Sequence, residues 1–146
     1  MKQILLSAAL VLTAYLSQAQ QTDKLLEAYM GVKNALVSGD SKAAAESSAT
    51  LYQQLKTGET FPGKPELLKA ADKLAKAGGI EKQREAFNAV STNLWKLVKT
   101  SDQIKHPVYY QYCAMKKTYW ISMEKAIKNP YYGASMLTCG KVVESK

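Results

Sequence analysis

Both cysteines of this 146-residue chain, and three of its five methionines, lie between positions 113 and 139. Their order is Cys113-x-Met115, then Met123, then Met136-x-x-Cys139. Thiolate and thioether sulfurs are soft donors that suit copper(I) or silver(I). Residues two apart on a strand share a face, so a strand here would turn Cys113 and Met115 the same way. Residues three apart on a helical turn also share a face, which pairs Met136 with Cys139. Two sulfur pairs can therefore converge on one ion. Met123 and the single histidine, His106, are further candidate ligands. Zinc prefers four donors drawn from cysteine, histidine and carboxylate. Hard cations want clustered carboxylates, and the sequence has no such cluster. The competing reading is a Cys113–Cys139 disulfide in a structural or protein-interaction domain without metal, since exported proteins commonly pair their cysteines.

The elements that must position these sulfurs follow from hydrophobic periodicity. Thr22 or Asp23 can cap a first helix, with Leu25, Leu26, Tyr29, Val32, Leu36 and Val37 on one face. Gly39 stops it and Asp40 caps the second, which runs through Leu51, Tyr52 and Leu55 to Gly58. Gly63-Lys64-Pro65 opens a third helix carrying Leu67, Leu68, Ala71, Leu74 and Ala75, and Gly78-Gly79 ends it. Phe87, Val90, Leu94, Leu97 and Val98 mark a fourth, from Ile80 to about Ser101. Short loops between such helices predict an up-down bundle.

The character changes at His106-Pro107. Six of the nine tyrosines lie between Tyr109 and Tyr132. Val108 to Met115 and Thr118 to Ile121 read as a short β-hairpin around Lys116-Lys117. A short helix is predicted over Ser122 to Lys128, broken by Asn129-Pro130, with Ser135 capping a last turn that closes at Gly140. The expected fold is thus mainly all-α. A four-helix bundle over residues 20–104 precedes a Cys/Met- and aromatic-rich C-terminal module over residues 105–146, packed on the bundle as one structural domain.

The N-terminus has the parts of a secretory signal peptide: Lys2, an apolar run from Ile4 to Leu16, and Ser17-Gln18-Ala19 as the cleavage site. Residues 1–19 are assigned to it, which predicts a periplasmic or secreted protein starting at Gln20. The apolar run is short of the roughly 20 residues that span a bilayer, and nothing later is apolar enough. The net charge is +8, but the cations are lysines spread along the chain, with Arg84 the only arginine. That pattern does not make the basic stripe of a nucleic-acid binder. No nucleophile motif, Cys-x-x-Cys pair or phosphate-binding glycine loop is present, so no enzyme is expected. Arg84 reads as an ion-pairing residue. Trp120 reads as packing, with its ring face a secondary site for a cation.

The segments Tyr110-Gln-Tyr-Cys-Ala-Met115, Tyr119-Trp-Ile-Ser122, Asn129-Pro-Tyr-Tyr-Gly133 and Met136-Leu-Thr-Cys-Gly140 resemble a bacterial domain family of unknown function. Its pattern runs Y-x-Q-Y-C-P-M, Y-W-L-S, N-P-Y-F/Y-G and M-L-x-C-G. The family occurs as small exported proteins and fused to periplasmic adaptor subunits of copper/silver efflux pumps. Glu81 to Phe87 is similar to its fourth-helix segment, and the resemblance covers about the last 65 residues. It implies metal-associated roles for Cys113, Met115, Met136 and Cys139, and a heavy-metal efflux adaptor or other periplasmic protein as partner. Ala114 stands where the family usually has proline.

Overall fold

A computed structural model describes residues 21–146. The assigned signal peptide and Gln20 lie outside the described residues. Four helices are followed by a small antiparallel sheet. Helix α1 covers residues 21–38 of the described chain. Gly39 ends it at φ 77°, a left-handed conformation that costs a glycine little. Asp40 then caps α2 (Ser41–Thr57), its Oδ1 accepting from the Ala43 amide at 2.9 Å. Helix α3 (Lys64–Ala75) carries Pro65 in its first turn, and α4 (Ile80–Thr100) begins directly after Gly79. No helix among the described residues is long and apolar enough to cross a membrane.

The predicted stripes are the buried faces. Leu25, Leu26, Tyr29, Val32 and Leu36 of α1 are buried with Leu51 and Leu55 of α2, Leu67 and Leu74 of α3, and Phe87, Val90, Leu94 and Val98 of α4. Each such side chain stabilises the fold by about 1.5–3 kcal/mol relative to exposure. The same apolar cluster continues into Tyr110, Cys113, Trp120, Ile121 and Tyr131.

Strands β1 (Tyr109–Cys113), β2 (Thr118–Ser122) and β3 (Lys141–Ser145) form a sheet in the order β2-β1-β3. The predicted hairpin is present, with Cys113 opposite Thr118 and Gln111 opposite Trp120. The outer edge of β2 is closed by side chains. Asn88 Oδ1 accepts from the Tyr119 amide at 2.8 Å, and the Tyr29 hydroxyl accepts from the Ile121 amide at 3.0 Å. The Tyr131 hydroxyl donates to the Tyr119 carbonyl. Tyr29 also meets Ser91 Oγ at 2.6 Å and stacks on Phe87, so it joins α1, α4 and β2. Burial pushes its phenol far above the usual range. On the opposite face from Cys113, Trp95, Tyr110 and Tyr119 stack at centroid spacings of 4.8 and 5.0 Å.

Three local expectations need correction. The first strand stops at Cys113, and Met115 lies in the turn, where Lys117 takes the left-handed φ of 53° that reverses the chain. Met115 therefore does not share a strand face with Cys113. Residues 122–128 are not helical. Buried Gln111 turns its Nε2 toward the carbonyls of Glu124, Lys125 and Ala126, at 3.1, 3.2 and 3.5 Å, and Ser122 Oγ accepts from the Glu124 amide. These bonds compete with a helical ladder. Finally, the last predicted turn is a 3-10 segment, Gly133–Met136, in which Ser135 Oγ donates to the Tyr132 carbonyl. After it comes a strand, β3, that the sequence pattern did not announce.

One buried cation gives a stability prediction. Lys33 of α1 is only 3% exposed. Burial lowers its ammonium pKa below 10.5, Glu124 opposes that shift, and Lys128 reinforces it. A lowered lysine pKa means that the charge destabilises the folded state at neutral pH. The cost disappears as the pH rises through the folded pKa toward the unfolded one. Lys33→Met keeps the apolar stem and leaves Glu124 paired with Lys128 at 2.6 Å. It is expected to stabilise the protein at neutral pH by on the order of 1 kcal/mol. Denaturant melts at neutral and strongly alkaline pH should show the gain shrinking in alkali. A loss of stability at neutral pH would contradict this account.

Candidate metal centre

The sulfur site stands where the β1–β2 turn meets the segment leading into β3. Cys113 is the last residue of β1, and its side chain is fully buried. Cys139 is half-buried between the 3-10 segment and β3. Their Sγ atoms lie 3.6 Å apart as two free thiols. The structure therefore brings together the two cysteines from positions 26 residues apart.

The site is built mainly by Asn129. It is fully buried, and its Nδ2 donates to the Cys139 carbonyl at 2.7 Å. Its Oδ1 accepts from the amides of Tyr131 and Tyr132, at 2.8 and 3.2 Å. Its own amide donates to the Leu137 carbonyl at 2.7 Å. The Asn-Pro step read as a helix breaker is thus the post that fixes the Cys139 segment. The sequence signal was there, because asparagine before Pro-x-x-Gly is turn chemistry. Its partners were not legible.

The two thiols are electrostatically unequal. Burial pushes the Cys113 thiol up. The polar groups around it, the Lys116 amide first, then the Cys139 thiol, the Asn129 side chain and the Met115 amide, together outweigh burial, so it sits below the usual thiol range. Cys139 is pushed up because its thiol donates to Cys113, with burial and the neighbouring sulfur's charge adding to the effect. Of the two thiols, Cys113 is therefore the one that ionises more readily. The thiolate is the form that binds metals.

The methionines are placed unevenly. Met115 lies two residues beyond Cys113 in the β1–β2 turn and is 63% exposed. Met136 is 37% exposed, and its carbonyl accepts from the Cys139 amide at 3.1 Å. Both thioethers belong to segments bonded to the cysteines. Met123 follows the far end of β2, opposite Tyr109 and not Cys113. Strand rise puts it about 15 Å along the hairpin from the thiols. His106 precedes β1 at that same far end and faces Asp23 Oδ1 at 3.6 Å. Neither is brought to the sulfur pair. Trp120 is fully buried against Tyr131 and the face of Gly140.

Among the described residues, no group of three or more His, Cys, Asp or Glu could hold a metal. What the site offers is sulfur. The thiols are closer than twice a metal–thiolate bond of about 2.3 Å, so one ion can touch both without moving either. Lys116 and Lys117 in the turn and Lys141 at the start of β3 surround this end of the sheet with positive charge. Lys116 Nζ sits 5.0 Å from the centre of the Tyr132 ring.

No curated protein and no solved structure matches the chain. A family match covers residues 25–106, the helices and the approach to the sheet, and stops before the C-terminal motifs that carry the sulfur site. The match spans more than half of the chain, and the chain belongs to the family described as protein of unknown function (DUF3347).

Proposed function

We propose that Cys113 and Cys139 bind one soft metal ion, copper(I) or silver(I), in an exported periplasmic protein. The protein would buffer that ion or hand it to an efflux adaptor or another periplasmic protein. Met115 and Met136 would complete the donor set by small movements of the turn and the 3-10 segment. The observation that carries this reading is the pair of free sulfurs 3.6 Å apart, with polar groups around Cys113 that lower its thiol pKa. A lowered thiol pKa favours the thiolate, the form that binds metal. The sequence supports export through Lys2, the run Ile4 to Leu16, and Ser17-Gln18-Ala19. We assign the protein no catalytic step.

The test is a thermal melt of reduced protein with silver(I) under anaerobic conditions. Binding to the folded state at a hundredfold excess over Kd stabilises it by about 2.7 kcal/mol. This should raise Tm by on the order of 5–15 °C. Cys113→Ser and Cys139→Ser should each abolish most of the shift. Met115→Leu and Met136→Leu keep the volume and should weaken it less. Zinc should give little shift. An unchanged Tm with silver(I), or a shift that survives both cysteine substitutions together, would rule the proposal out.

A further inference from the structure

We propose that the sulfur pair also undergoes thiol–disulfide exchange with small disulfides of the glutathione class, and that the Cys113–Cys139 bond so formed closes the metal site. The exchange stands on geometry alone. Its consequence for metal rests on the reading above.

The two sulfurs are already in contact at 3.6 Å, so closing the bond takes a shift of roughly 1.5 Å. Cys139 can make that shift because it lies outside any helix or strand, between the 3-10 segment and β3. Cys113 is held at the end of the central strand and has no exposed surface. Only Cys139 is open to a disulfide from solution, and this fixes the order of events.

The Cys139 sulfur, deprotonated to solvent, attacks one sulfur of R–S–S–R. A Cys139–S–S–R bond forms, the R–S–S–R bond breaks, and one R–S⁻ leaves. Cys113, already beside it, then attacks the Cys139 Sγ as its thiolate. The Cys113–Cys139 bond forms and the second R–S⁻ leaves. The protein gives up two electrons and two protons, and the small disulfide becomes two thiols. Both thiolates of the metal site are consumed, so a bound soft ion would lose its principal ligands. Cys113 acts here as the resolving thiol and Cys139 as the entry point.

The experiment incubates reduced protein with oxidised glutathione and follows intact mass. Wild type should lose two hydrogens and retain no glutathionyl group. Cys113→Ala should accumulate one glutathionyl group, on Cys139. Cys139→Ser, left with only the buried sulfur, should react at least about tenfold more slowly than Cys113→Ala. Wild type that stays unmodified, or stops at the glutathionyl adduct, overturns the proposal whatever the variants do. So does a folded Cys139→Ser that reacts as fast as Cys113→Ala. Silver(I) melts then separate the two readings. If silver(I) raises the Tm of reduced but not oxidised protein, the gate is supported. An equal shift in both forms removes the gate. No shift in either removes the metal reading while the exchange result stands by itself.

Discussion

Replacing Arg84 with methionine should lower Tm by on the order of 10 °C, although Arg84 makes no hydrogen bond to either cysteine. The side chain is only 15% exposed. Its Nη2 donates to the Leu36 carbonyl in the last turn of α1, and its Nε donates to the Pro130 carbonyl, both at 3.0 Å. Nη1 reaches the exposed carboxylate of Glu81, also at 3.0 Å. The Leu36 carbonyl also accepts from the Gly39 amide at 3.3 Å, so the acceptor left without a partner is the Pro130 carbonyl, in a loop packed on the core. Leaving a buried polar group unpaired costs about 1–3 kcal/mol, while the exposed Glu81 pair adds little. With one carbonyl unpaired and the Leu36 end weakened, the sum is roughly 2–3 kcal/mol, which sets the expected fall in Tm for a domain of this size. Arg84→Lys should recover only part of it, because one ammonium cannot copy a planar fork aimed at two carbonyls.

The same joint can be probed from its other side. Gly133 has φ 55°, and a Cβ there would stand 2.7 Å from Arg84 Nη2 and 2.9 Å from the Val37 carbonyl. The backbone oxygen cannot move away as a side chain could, so Gly133→Ala should destabilise the protein by a similar amount. If both variants melt within a couple of degrees of wild type, the guanidinium is not the tie between α1, α4 and the loop.

Arg84 also marks the limit of what the sequence discloses. It reads as a pairing residue, yet its main partners are backbone carbonyls 46 and 48 residues away, which no local pattern reports. Helix boundaries are legible because their signals are local: Asp40 bonds three residues ahead, and Gly39 and Gly79 sit at the breaks they predict. Residues 122–128 mislead for the same reason. Met123 to Lys128 is made of good helix formers, and Glu124 and Lys128 do pair at the helical spacing. Gln111 overrides that preference from another strand. Strand β3 is exposed along most of its length, so it lacks the alternation that marks a half-buried strand. What holds it is the ladder to β1 and the Lys146–Val108 amide–carbonyl pair, at 2.8 and 2.9 Å. The sulfur spacing gave the right neighbourhood for the cysteines. It placed Met115 on the wrong element because the turn begins one residue after Cys113.

Asn129 couples that neighbourhood to the fold, and two substitutions should separate its roles. Asn129→Ala removes the acceptor for the Tyr131 and Tyr132 amides and the donor to the Cys139 carbonyl. With these groups buried and unpaired, the loss should be on the order of 3 kcal/mol. Asn129→Asp has nearly the same shape and keeps the acceptor for both amides. It loses the N–H donor to the Cys139 carbonyl and the lowering influence of the amide on the Cys113 thiol, and it sets a carboxylate near that sulfur. A like charge and a missing donor both disfavour the ionised thiol. The Cys113 thiol pKa should therefore rise, read as a shift of the ultraviolet thiolate absorbance to higher pH. Silver(I) affinity should fall by roughly tenfold, the effect of about 1.4 kcal/mol at the sulfur. Stability should fall at least as far as in Asn129→Ala, because one carboxylate oxygen would face the Cys139 carbonyl in a fully buried site. If Asn129→Asp keeps the fold and leaves both the thiol titration and silver(I) binding unchanged, the side chain supports only the loop. The low pKa of Cys113 would then have to come from the Met115 and Lys116 amides and the Cys139 thiol alone.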